Sequence, residues 1–535
     1  SAGPSRWQVE EATFTASAWS TSQASKCCAG THAGEPKCPG VDGDFLDEAV
    51  PEGSSREETL IMKNSLSTAS TGSRKGHRTS TVSFRMTRDS KRIQQLAAFS
   101  PAIAHWELLQ HNPEEIVQNA LRPRAWAFDA AILFVDISGF TNLCTRLDID
   151  ALQEHINSYF TAIVDIIFKM EGDVLRFVGD ALLCAWELNP RSGDEQSSGV
   201  LDDRDLSPSS SPLAMATCSA CACALELMAS CSKYEITELG EMLSIHAGVS
   251  AGRLQAFRVG TPSRWEFLVA GMALSHVFVA ESCAKSGEAV CSPEAWALVS
   301  SVCTGEPRGK DGNMRLLEIC AQPPSTLVTS PSSPGTGSTS ATDDTFMRAL
   351  LCRNLLGLQR AQQTALALKR EYYLMPLTGY VHDVARAAID LNVLQYSAEQ
   401  RQVIVAFAKI VGLEGALLFG ESGLPAVQRV VETAQGIIDQ WGGMLRQFIL
   451  DDKGAVLIWT FGLPRSSFEN NAHRGIASAF DIAESLQSQN LQAHIGVTSG
   501  VAFCGRVGAV YRCEYSVMGP SVNLAARLMC MCESK

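Results

Sequence analysis

Residues 264–271 read Arg264-Trp265-Glu266-Phe267-Leu268-Val269-Ala270-Gly271, and residues 512–519 read Arg512-Cys513-Glu514-Tyr515-Ser516-Val517-Met518-Gly519. Both carry Arg-x-Glu-x-x-Val-x-Gly, at a constant offset of 248. Upstream, Gly248-Val249-x-x-Gly252 matches Gly496-Val497-x-x-Gly500 at the same offset. Several identities in one register, this far apart, mark an internal duplication. Around each copy, apolar strand patterns alternate with amphipathic helical ones, which predicts an α+β fold repeated in tandem.

The 535 residues, 57.6 kDa, exceed what one core usually organises. Residues 1–95 are rich in Ser, Thr and Gly with little periodicity and read as a disordered tail. The first domain is expected over 96–321, with a polar surface insertion at 189–212. A Ser/Pro/Gly-rich stretch, 322–345, reads as a linker, and 346–396 as a helical connector with no chemistry assigned. The second domain occupies 397–535.

Composition excludes several classes. With 44 basic and 57 acidic residues the net charge is −13 and the pI about 5.3, unlike a general nucleic-acid binder. No uninterrupted apolar run reaches the roughly 20 residues of a membrane span; the best candidate, Leu213 to Met228, contains Glu226. Most of the eighteen cysteines lie in apolar periodic segments, which predicts a reducing, cytoplasmic compartment. Cys218-x-x-Cys221 has zinc-ligand spacing, but no second pair stands at the expected distance, so buried thiols are the expectation.

The two copies differ in the chemistry they keep. In the first, AAILFVDISGF (130–140) reads as a buried strand delivering Asp136 at its end. DVLRFVGDALLCAW (173–186) reads as a hairpin with Asp180 at its turn. Two such carboxylates on adjacent strands could hold two divalent ions roughly 4 Å apart. In the second copy, QVIVAFAKIVG (402–412) puts Lys409 at the Asp136 position. Leu450 or Asp451 falls near Asp180, depending on one gap. The second copy instead carries SVNLAARLMCMC (521–532), a helix with Asn523 and Arg527 on one face, where the first has Ser275 and Val279. Such a pair can orient a ribose and neutralise a transferring phosphate. The complementarity predicts one composite site across a pseudo-twofold interface and a degenerate pocket opposite it.

These motifs resemble class III nucleotidyl cyclases, specifically the bicarbonate-responsive soluble adenylyl cyclases. FVDISGFT, GDVLRFVGDALL, AGVSAG and FLVAG resemble the family's first catalytic domain; IGVTSGVAFCGRVG and EYSVMGPSVNLAARLM resemble its second. The resemblance implies two ferredoxin-like domains paired within one chain that acts as a monomer, with the second domain cut short at Lys535. It implies conversion of ATP to 3′,5′-cyclic AMP and pyrophosphate with two Mg²⁺ or Mn²⁺ ions. Asp136, Asp180 and the Ile137 carbonyl would bind metal, and Asn523 and Arg527 would serve the transition state. Gln447, Ser516, Val517 and Phe140 would contact substrate; Gln447 stands where the family has a base-reading Lys. The degenerate pocket would be lined by Arg176, Phe278 and Val269. Arg176 replaces a bicarbonate-binding Lys and Phe278 a bicarbonate-binding Arg, so bicarbonate is expected to act weakly. The alternatives are a catalytically impaired, nucleotide-binding regulatory module and a guanylyl cyclase.

Overall fold

The computed structural model describes residues 88–109, 122–139, 143–144, 146–187, 211–236, 238–309, 311–320, 374–394 and 398–532. Phe140, the 322–345 linker and most of the 189–212 insertion lie outside these residues, as do 1–87.

The first domain is built on strand β1 (Arg124–Ser138), whose Ala130–Val135 run is buried, as a central strand requires. Helix α3 (Ile149–Lys169) follows, capped by the Asp148 side chain, which accepts from the N–H groups of Asp150 and Ala151. Strands β2 (Asp173–Val178) and β3 (Ala181–Glu187) form the expected hairpin. Beyond α4 (Pro212–Cys231) and the short β4 (Tyr234–Ile236) comes the 21-residue β5 (Glu241–Thr261), antiparallel to β1 along the whole of β1. A tight turn leads into β6 (Arg264–Ala270), then α5 (Met272–Cys283). The domain closes with β7 (Ala289–Cys291), α6 (Pro293–Val299), β8 (Cys303–Arg308) and β9 (Asn313–Ile319), in a sheet ordered β2-β3-β1-β5-β7-β9-β8.

Two short helices precede the second domain, α7 (Leu374–Gly379) and α8 (Asp383–Asp390). Its sheet, ordered β11-β12-β10-β13-β14, comprises β10 (Glu399–Val411), β11 (Met444–Asp451), β12 (Gly454–Phe461), β13 (Gln492–Ala509) and β14 (Arg512–Met518). The helices are α9 (Glu414–Leu418), α10 (Leu424–Gln440), α11 (Asn471–Ser488) and α12 (Pro520–Met531). Each copy thus repeats a strand-helix-hairpin-helix-strand order: the class III cyclase fold, an α+β architecture in tandem.

The duplicated glycines explain how each final helix reaches its sheet. A Cβ on Gly248 would lie 2.3 Å from the Val277 carbonyl oxygen, and one on Gly496 2.2 Å from that of Ala525. Without side chains there, α5 lies directly on β5 and α12 on β13. The long β5–β6 and β13–β14 arms then reach across. The Gln428 side chain exchanges two hydrogen bonds with the Gly260 backbone, at 2.8 and 2.9 Å. Tyr511 donates to Asp165 on α3 from the opposite arm. One core cluster draws on both sheets and on residues 93–104 and 377–394.

Two details differ from the sequence reading. Residues Arg88–Ala97 form helix α1, most of which falls within the segment expected as a tail. A second helix, α2 (Ala102–Leu109), follows it. Ile93, Leu96 and Ala97 are buried, so a short apolar stripe in polar surroundings suffices when a neighbouring domain receives it. Helix α4, Pro212–Cys231, is long and apolar enough to cross a membrane by length and composition. Its Cys221, Cys223, Ala224 and Leu227 are fully buried in the first domain's core.

Candidate active site

Asp136 lies two residues before the end of strand β1, and the ladder sets it directly opposite His246 on β5. Neighbouring side chains in such a pair share one face of the sheet. Glu281 descends from α5 onto the same place: His246 Nε2 is 2.7 Å from Glu281 Oε1 and 3.7 Å from Asp136 Oδ2. Asp180 occupies the hairpin turn after Gly179, which takes φ +65° there. Burial, then the Asp136 charge, pushes the Asp180 carboxyl up to about 6. Asp136 is raised by burial, and by the Glu281 charge against the lowering influence of His246. His246 is raised chiefly by its hydrogen bond to Glu281. Carboxylates that hold one another's protons this way are suited to a cation, which removes the repulsion. The Ile137 side chain is buried in the core, and its N–H donates to Asp136.

The second domain approaches these carboxylates. Lys453, on its hairpin, lowers the Asp136 pKa across the interface. Met529 of α12 packs in a small apolar cluster with Val178, two residues before Asp180. Asn523 and Arg527 lie one turn apart on the exposed face of α12. A cavity of about 510 Å³ runs along the start of this helix, lined by Gly519, Pro520, Ser521 and Leu524 and by Cys144 of the first domain.

The second copy fills its own carboxylate site with lysines. The Phe177–Leu182 pair encloses four residues, whereas its counterpart Phe448–Leu457 encloses eight, so the second hairpin is longer. Neither Leu450 nor Asp451 is therefore a simple equivalent of Asp180. Asp451 accepts the Lys453 N–H at 2.9 Å, and Lys409 and Lys453 supply positive charge beside it.

The expected purine-contacting residues are tied into the protein. Gln447 is buried; its amide donates to the Phe177 carbonyl at 2.7 Å and to Glu514. A bulge between Leu445 and Gln447 leaves Arg446 out of the ladder, and it donates to Ser516 Oγ at 2.8 Å. Val517 is buried opposite Cys504. Arg446, rather than Gln447, therefore meets Ser516, because the bulge shifts the register by one.

The opposite pocket is likewise occupied. Arg176 donates to Glu266 and to the Phe267 carbonyl. Phe278 is 7% exposed and meets Phe134 edge to face at 5.0 Å, in the same core cluster as Val269. Among the residues that sequence reasoning missed are His246 and Glu281. Only strand register and helix placement bring them to Asp136.

Residues 127–310 match the model of the adenylate and guanylate cyclase catalytic domain. Adenylate cyclase type 10 of Rattus norvegicus is 26% identical over 448 residues, 79% of this chain, and that of Homo sapiens 28% over 439 residues, 78% of it. The chain spans about a quarter of the length of these curated relatives. A class III adenylyl cyclase-like ATP-binding protein from Pseudomonas aeruginosa has TM-score 0.46 and 14% identity, over 83% of this chain and 90% of that one. Residues 127–310 thus match the adenylate and guanylate cyclase catalytic domain, and over nearly four fifths of its length the chain is similar to adenylate cyclase type 10.

Proposed function

We propose that the chain is an adenylyl cyclase, converting ATP to 3′,5′-cyclic AMP and pyrophosphate at the interface of its two domains. The supporting observation is the pair Asp136 and Asp180, with raised proton affinity, beside a helix of the other domain that carries Asn523 and Arg527. Two Mg²⁺ or Mn²⁺ ions held by Asp136, Asp180 and the Ile137 carbonyl would supply charge neutralisation of the triphosphate and acidify the 3′-hydroxyl. Asn523 orients the ribose so that the hydroxyl lies in line with the α-phosphorus. Arg527 pairs with the α-phosphate oxygens as the O3′–P bond forms and pyrophosphate departs. Ser516, with Arg446 behind it, Val517, Gln447 and Phe140 would line the purine. The pair of domains is intramolecular, so a monomer contains the whole site, and a cytoplasmic location suits ATP as substrate.

A second reading, a nucleotide-binding module without turnover, draws on one observation: the Gln447 amide is already bonded to Phe177 and Glu514. A guanylyl cyclase is the third. Incubating the purified chain with Mn²⁺ and either ATP or GTP separates all three. Cyclic AMP from ATP is the expected product; binding without product supports the second reading, and cyclic GTP the third.

A further inference from the structure

We infer that the cation site of the first domain recruits His246 Nε2 and Glu281 beside Asp136, forming a mixed nitrogen and oxygen site that favours Mn²⁺ over Mg²⁺. This deepens the proposed function and rests on its metal-binding reading of Asp136.

The trio is a product of the fold. Asp136 and His246 are direct cross-strand partners. Gly248, two residues along β5, admits the α5 backbone so closely that Glu281 lands over His246. One ligand atom from each of the three residues lies within 4.8 Å of the other two. Ligands about 2.1 Å from one cation stand roughly 3 Å apart when adjacent and 4.2 Å when opposed. The observed 2.7 and 3.7 Å from Nε2 to the two carboxylates therefore need little adjustment to share an ion. The other ring nitrogen, Nδ1, is 3.5 Å from Ser138 Oγ, a partner that keeps Nε2 turned toward the carboxylates. Asp180 is not one of the trio, so Asp136 would serve both it and the His246–Glu281 pair.

Donor chemistry sets the preference. Mg²⁺ keeps oxygen ligands and water, whereas the first-row transition ions accept imidazole nitrogen; Mn²⁺ does so least strongly of them but more readily than Mg²⁺, so one nitrogen donor tilts the balance between those two toward Mn²⁺. The second copy retains a histidine at the matching place, His494 opposite Lys409, but has Met529 where Glu281 stands. The nitrogen and both carboxylates come together only in the copy that keeps Asp136.

The test is Mn²⁺ titration of the full chain without nucleotide, followed by electron paramagnetic resonance. Electron spin-echo modulation then reports ¹⁴N bound directly to the ion. The parent is expected to show ¹⁴N coupling, and His246→Ala to lose it with at least about a tenfold weaker affinity for Mn²⁺. Glu281→Gln should weaken Mn²⁺ similarly and keep the nitrogen signal. Mn²⁺ bound at the Asp136 site, displaced by Asp136→Ala, without ¹⁴N coupling in the parent would overturn this inference and leave the Asp136–Asp180 reading standing. No Mn²⁺ bound at millimolar concentration would overturn both. The parent spectrum alone decides if a variant does not fold.

Discussion

Glu514 Oε2 accepts the backbone N–H of Phe177 at 3.3 Å, across the interface between the two domains. The mirror contact exists: Glu266 accepts the N–H of Phe448 at 3.2 Å. The arginines of the same repeated motif act alongside. Arg512 donates to the carbonyls of Val174 and Leu175, at 2.8 and 3.0 Å, and lies over the Phe177 ring. Arg264 pairs with Glu266 at 2.7 Å and donates to Tyr380. The Arg-x-Glu repeat is thus a reciprocal clamp in which each arm holds the other domain's hairpin.

Breaking that clamp should be costly. Glu514→Ala removes the carboxylate paired with Arg446 and a favourable charge from Arg512 in a buried interface, leaving Glu266 and Asp173 as the carboxylates that act on them. Loss of one partner from a buried pair commonly costs roughly 3–5 kcal/mol. Denaturant unfolding should show a midpoint lowered accordingly; a shift within error would mean that backbone carbonyls with Glu266 and Asp173 satisfy both arginines.

Removing either metal-site carboxylate should abolish turnover. Asp136→Ala takes away the carboxylate that both proposed ion positions share, and Asp180→Ala leaves the second ion without its own carboxylate. Asp451→Ala should retain activity and lose about 1 kcal/mol, the worth of its turn bond to Lys453. Cyclic AMP formation at saturating Mn²⁺ is the measurement, and activity persisting in Asp180→Ala would sink the composite site.

The pH dependence follows from Asp180. Its folded pKa, about 6, lies above the ordinary 3.8, so the folded chain holds this proton more tightly than the unfolded one. The stability this contributes is complete below about pH 4 and lost as pH rises through about 6. Metal requires the ionised form, so apparent Mn²⁺ affinity should fall about tenfold per pH unit below 6. Asp136 is also raised, by burial, so protonation there adds to the fall at low pH. Mn²⁺ titrations between pH 5 and 7.5 check this, and a flat profile would place the carboxyl at its ordinary value.

Arg527→Ala should lower kcat far more than it raises KM, since its contact strengthens as charge builds on the phosphate. The expected loss is about a hundredfold or more. An effect confined to KM would assign Arg527 to ground-state binding.

Some of this was legible in the sequence, for physical reasons. Gly248 and Gly496 betray the duplication because backbone contact tolerates no side chain at either place. The strand with Asp136 near its end and the turn carrying Asp180 are local patterns, and both stand where periodicity puts them. The clamp was visible as a repeat but not as a contact, since Glu514 meets Phe177 over more than 300 residues of chain. The bulge that turns Arg446 toward Ser516 leaves no compositional mark. His246 and Glu281 gain meaning only once β5 is registered against β1 and α5 settles on Gly248. Helix α1 is too short to declare itself without the partner that buries it.

Bicarbonate should have little effect on product formation. A small anion in a partly dry pocket needs paired donors, and Arg176 is already committed to Glu266 and the Phe267 carbonyl. Phe278 contributes no donor, and its ring is held edge-on by Phe134. Phe278→Arg would drive a guanidinium into a place only 7% exposed, so lower stability is expected rather than a new response. Freeing the arginine is the better probe: Glu266→Gln removes its charged partner and should increase any bicarbonate effect, at some cost in stability. Cyclic AMP is measured against bicarbonate at fixed pH and ionic strength, in the parent and in Glu266→Gln. Saturable activation of the parent would mean that bicarbonate competes successfully with Glu266 for Arg176, and the expectation would be wrong.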